Sequence, residues 1–182
     1  MAEVENPNFL KGHNLDLKQI RLDVYRLACY FEASRSFAEQ SLASNNELFI
    51  NRLPLEFMED EVSRTLLQSA IILRILDDES EADKDEKNPF HCGMLSSKSG
   101  VQKLSLREAC NKIIHGQKIN FDIEELCGYK YLKPVVYLYG SQGKNAWKAE
   151  LNIREFVDHG ARLLTARTLN EYIEWQEKYG RT

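Results

Sequence analysis

A mainly α-helical bundle carrying a small antiparallel sheet is the fold this sequence predicts, and three observations point to it. Apolar residues recur at helical spacing over two long N-terminal stretches. The period then switches to alternation in three short runs beyond residue 118, and after residue 153 it becomes helical again. The sheet is expected as a hairpin or three strands, inserted over residues 118–153 ahead of the closing helices, in one domain spanning 1–182.

Residues 1–13 have no periodicity and carry Pro7 and Gly12, so they read as a flexible arm. Asn14 or Asp16 offers an N-cap to a helix running to about Ala43, whose apolar stripe is Leu17, Ile20, Val24, Leu27 and Phe31. Ser44 to Asn46 and Pro54 punctuate the chain. A second amphipathic helix is expected from near Glu56 to Asp77, with Val62, Leu66, Ala70, Leu73 and Leu76 on one stripe. Arg74 interrupts that apolar run, and with Asp78 it reads as a salt-bridging pair.

Residues 77–103 are acidic at first and then rich in Ser, Gly and Pro, which predicts a long surface loop, either a solvated insertion or a lid over the next helix. That helix opens on a capping box, Ser105-Leu-Arg-Glu108, and stops at Gly116. Ile119 to Ile123, Val135 to Tyr139 and Trp147 to Ile153 alternate as strands do, with a turn in Gly140 to Gly143. Tyr137, Tyr139 and Trp147 suit either a binding face or packing against helices. Phe156, Val157, Leu163, Leu164, Leu169, Tyr172, Ile173 and Trp175 predict one or two closing helices.

Length and composition narrow the function classes. A chain of 182 residues with 43% hydrophobic content can bury a core without metal or disulfide support. No basic and then apolar leader stands at the N-terminus, and no apolar run approaches the ~18 residues that cross a bilayer, so a cytoplasmic protein without membrane contact is expected. Cys29, Cys92, Cys110 and Cys127 lack paired spacing and read as free thiols. His91 and Cys92, with Cys110 or His115, do not have the spacing of a zinc cage. No His-rich or clustered Asp motif is present, so neither metal nor cofactor is expected.

The helix after Ser105 is the strongest candidate site. Arg107, Asn111 and His115 are spaced by four and form one polar stripe, while Leu106, Ala109, Cys110, Ile113 and Ile114 form the opposing apolar face. Such a stripe combines a permanent cation for phosphate, an amide that orients a partner, and an imidazole that moves protons near neutrality. His115 stands at the helix C-terminus, where the macrodipole favours a cation. Lys98, Lys103, Lys112 and Lys118 concentrate basic charge here in a chain of net charge −4.

Asn111-Lys-Ile-Ile-His115-Gly116 resembles the terminal motif of HEPN domains, in which an Arg, usually followed by Asn, precedes a His by four to six residues. The resemblance implies an all-α bundle that pairs as a homodimer and, in active members, a metal-independent endoribonuclease of the kind used in toxin–antitoxin or antiphage systems, working with an antitoxin or a defence-system partner. His115 would then assist proton transfer, Asn111 would orient, Arg107 would stabilise the phosphate, and Lys103, Lys112 and Lys118 would draw RNA in. The chain departs from the motif directly before Asn111, where Cys110 stands in place of Arg, and the nearest upstream Arg is Arg107. The alternative is a non-catalytic scaffold of the same kind that binds a protein partner or a nucleotide.

Overall fold

The periodicities just described build two layers in the computed structural model, which describes residues 16–79, 91–143 and 145–179. The arm expected over 1–13 and most of the acidic stretch, residues 80–90, lie outside the described residues. Helix α1 spans Leu17–Ala43, and its first turn is closed by Asp16, whose Oδ1 accepts from the Gln19 N–H at 3.0 Å. A helical run follows in two pieces, α2 (Leu53–Phe57) and α3 (Ser63–Glu79), joined by a π-helical turn over Met58–Val62. Pro54 sits inside this run because the first turn of a helix does not use its missing N–H.

The next two elements overturn the expected mainly helical bundle with its small insertion. Strands β1 (Gly93–Ser97) and β2 (Gly100–Lys103) form within the span read as a surface loop. After helix α4 (Leu106–Ile114), strands β3 (Lys118–Leu126), β4 (Tyr129–Gln142) and β5 (Asn145–Asn152) complete a five-stranded antiparallel sheet in the order β2-β1-β5-β4-β3. A single long helix, α5 (Ile153–Tyr179), closes the chain. The protein is therefore an α+β fold. The physical reason lies in pairing at a distance: β1 is held by β5, with Leu95 opposite Ala149 and Ser97 opposite Trp147. A Ser-rich segment of weak strand propensity becomes a strand because a preformed edge recruits it.

Gly93 makes that recruitment possible. Its φ is +142°, and a Cβ there would stand 1.9 Å from the Glu150 carbonyl oxygen on β5, so only glycine enters the sheet at this point.

One face of the sheet is apolar. Leu95, Val136, Leu138, Trp147, Ala149 and Leu151 are buried against Val24, Leu27 and Phe31 of α1, Leu66 and Leu73 of α3, and Phe156 and Leu164 of α5 in one continuous core. The buried Ser34 hydroxyl of α1 accepts from the Leu132 N–H at 2.8 Å, fixing helix to strand inside that core. Among the described residues the helices pack on this side of the sheet, and Lys118, Lys148 and Glu150 on the other side are exposed. Helix α4 packs on α3 at the end of the sheet where the β4–β5 hairpin turns.

Candidate functional site

Ser105 starts α4 as its sequence dictates: the side chain accepts from the Glu108 N–H at 3.2 Å. Leu106, Ala109, Cys110 and Ile113 are buried, which turns Arg107, Asn111 and His115 away from the core along one stripe. The three residues meet quite different surroundings.

Arg107 faces α3, where its two terminal nitrogens donate to the carboxylates of Asp77 and Asp78. Arg74, one turn earlier on α3, also pairs with Asp78, and its Nε donates to Asn111 Oδ1 at 3.0 Å. The Asn111 amide in turn donates to Glu108 Oε2 at 3.3 Å. Two arginines, two aspartates and Asn111 therefore form a clasp between α3 and α4. The hydrogen bond from Arg74, reinforced by Arg107, holds the Asp78 carboxyl below its ordinary value. Arg107 is matched charge for charge.

Cys110, which occupies the place of the arginine in the motif, is 1% exposed. Burial, with neighbouring Cys92 and Asp77 adding to it, pushes its thiol up to about 12. Position 110 therefore faces the core, and a phosphate cannot reach it.

His115 lies at the other end of α4 and is exposed, its N–H donating to the Asn111 carbonyl at 3.0 Å. The chain leaving the helix is fastened to β4, because the Gln117 N–H donates to the Tyr139 carbonyl at 2.8 Å and its side-chain amide donates to the Ser141 hydroxyl at 3.2 Å. This brings His115 beside the β4–β5 hairpin. Between helix and hairpin lies a cleft of about 560 Å³, lined by Glu108, Asn111, Lys112 and His115 on one wall and Ser141, Gln142 and Trp147 on the other. Lys112 spans it: its ammonium pairs with Glu108 at 2.9 Å and stands 4.7 Å from the centre of the Trp147 ring. Trp147 is held by a missing side chain, since a Cβ on Gly140 would meet the ring at 2.2 Å.

No family model, curated protein or solved structure matches this chain. The geometry itself sorts the expected residues. His115 and Lys112 line the cleft together with Asn111, whose amide oxygen is also held by Arg74 in the clasp, whereas Arg107 lies in the clasp alone. Lys103 ends β2 and Lys118 begins β3, at opposite edges of the sheet, so the three lysines expected to act together do not converge. The cleft adds Glu108, Ser141, Gln142 and Trp147. Of these only Trp147 carried a sequence signal for binding, because hairpin-tip residues declare their neighbours only when the strands pair.

Among the described residues no three His, Cys, Asp or Glu side chains gather as metal ligands, and no helix is long and apolar enough to cross a membrane.

Proposed function

We propose that this protein is a cytoplasmic nucleotide-binding protein that does not cleave RNA, and that the cleft between α4 and the β4–β5 hairpin is its binding site. One observation carries the reading: Arg107 is neutralised by Asp77 and Asp78, while His115, Asn111 and Lys112 line an open polar cleft. In the nuclease that the motif implies, an arginine stands against the phosphorane close to the proton-transferring imidazole, and neither the buried Cys110 nor the paired Arg107 supplies it here. Arg107 begins about 12 Å up the helix from His115, at ~1.5 Å per residue, and its charge is already spent on carboxylates. The cleft has instead the mixed inventory that suits a nucleotide. Ser141 and Gln142 both donate and accept, His115 meets phosphate, and Lys112 joins it on leaving Glu108, whose carboxylate then accepts from ribose hydroxyls or an exocyclic amine.

The test has two arms on the full chain. Calorimetric titration with each of the four ribonucleoside 5′-monophosphates should give saturable binding of at least one, and incubation with cellular RNA in EDTA should leave the RNA intact. Failure to bind any of the four removes the cleft as a nucleotide site. EDTA-resistant cleavage that disappears in His115→Ala replaces the binding reading with the nuclease one.

A further inference from the structure

The sheet face turned away from the helices carries an aromatic and basic group that the cleft does not use. Residues opposite one another in an antiparallel sheet point to the same side. Tyr139 stands between Lys118 on β3 and Lys148 on β5, and Tyr137 between Asn120 and Glu150. Leu138 and Ala149, one step along, point into the core, so this set faces away from the helices. The Lys148 ammonium lies 4.5 Å from the Tyr137 ring centre and 5.9 Å from that of Tyr139, and the Lys118 ammonium lies 5.9 Å from the Tyr139 ring centre. Neither lysine pairs with a carboxylate among the described residues, in contrast to Lys112 and Lys133. Their positive charge is held against ring faces rather than neutralised.

We propose that this face binds single-stranded RNA, with Tyr137 and Tyr139 as base-stacking surfaces and Lys118 and Lys148 as phosphate contacts. Tyr137 and Tyr139 are half-buried and Lys118 and Lys148 exposed, so an arriving phosphate draws the ammonium groups off and leaves the ring faces to bases. Tyr137 and Tyr139 are two residues apart, about 7 Å along the strand. Bases in a duplex repeat at about 3.4 Å, so the platform fits bases that are splayed apart and unpaired. Asn120, opposite Tyr137, supplies an amide for a ribose 2′-hydroxyl, which favours RNA over DNA. Glu150, and Asp122, which accepts from the Tyr137 hydroxyl at 3.3 Å, confine the anionic backbone to the Lys118–Tyr139–Lys148 end. The face stands on its own observations and does not depend on the cleft.

Fluorescence anisotropy of a labelled ten-nucleotide oligouridine RNA with the full chain at low salt tests the proposal. Saturable binding that weakens with salt is expected, with a duplex of equal length at least about tenfold weaker. Tyr137→Ser with Tyr139→Ser should lower affinity at least about tenfold, while Tyr137→Phe with Tyr139→Phe, which keeps both rings, binds as the parent does. Lys118→Ala with Lys148→Ala should reduce the salt slope by about two, and this variant decides the matter if the serine pair fails to melt cooperatively. Absence of binding, equal binding of the duplex, or an unchanged affinity in a folded serine variant overturns the proposal. Equal binding of the DNA of matching sequence overturns the assignment to RNA.

Discussion

The two ends of α4 carry similar chemistry and meet opposite fates. At the N-terminal end Arg107 projects toward α3, where Asp77 and Asp78 sit on the last turn of a neighbouring helix, and the cation is consumed in holding two helices together. At the C-terminal end Lys112, ion-paired among the described residues only with Glu108 of its own helix, and His115 project toward a hairpin whose nearby side chains are Ser141, Gln142 and Trp147, and a cleft is left. The lesson is that a polar stripe on a helix has no function of its own. What stands opposite each residue decides whether it is tied into the fold or left facing a cleft.

The strongest way to challenge that contrast is to restore the arginine that the motif implies. Cys110→Arg places a guanidinium at a position 1% exposed beside Cys92 and is expected to cost ~4 kcal/mol in a urea melt, or to prevent folding. A variant that keeps parental stability shows that position 110 can turn outward, and the two ends of α4 are then not distinct. Gly140→Ala acts on the other end. Its Cβ would fall 2.2 Å from Trp147, so a loss of ~2 kcal/mol and a red shift of tryptophan emission are expected as the ring leaves the wall of the cleft.

Within the clasp the two arginines differ in burial, and their alanine variants should differ accordingly. Arg74→Ala leaves Asn111 Oδ1 without its donor in a part-buried place and should cost about 2 kcal/mol in the urea melt. Arg107, 43% exposed, joins carboxylates that Arg74 already serves, so Arg107→Ala should cost under about 1 kcal/mol. Equal losses would contradict the distinction. The smallest expected effect is on acid stability. The Asp78 carboxyl is lowered in the folded state, so its contribution is complete above the ordinary carboxylate range and is lost as pH falls through the lowered value. The difference in melting temperature between the parent and Asp78→Asn should be present at neutral pH and close across that acidic interval. A difference that stays constant down to pH 3 would show that proton linkage is not its source.

Much of the helical layer was legible because local rules govern it. Asp16 and Ser105 cap as their side chains allow, and the apolar stripes of α1 and α3 enter the core. The alternation at Ile119, Val135 and Trp147 falls within β3, β4 and β5. The strands at Gly93 and Gly100 were hidden, since a segment reading Ser-Ser-Lys-Ser-Gly has turn chemistry and only its distant partner β5 makes it a sheet edge. The site divides in the same way. Spacing put Arg107, Asn111 and His115 on one stripe, but Arg107 met Asp77 and Asp78 across a helix contact that spans some thirty residues of chain, and the 3.6-residue period contains no information about such contacts.

The central claim, that function belongs to the His115 end of α4 and structure to the Arg107 end, is tested most directly by one set of titrations. Binding of the best ribonucleoside monophosphate would be measured for the parent, Arg107→Ala and Lys112→Ala. The account predicts an unchanged dissociation constant for Arg107→Ala and a rise of about tenfold for Lys112→Ala, the loss of one charge-assisted contact. A tenfold loss in Arg107→Ala with Lys112→Ala unaffected would contradict it.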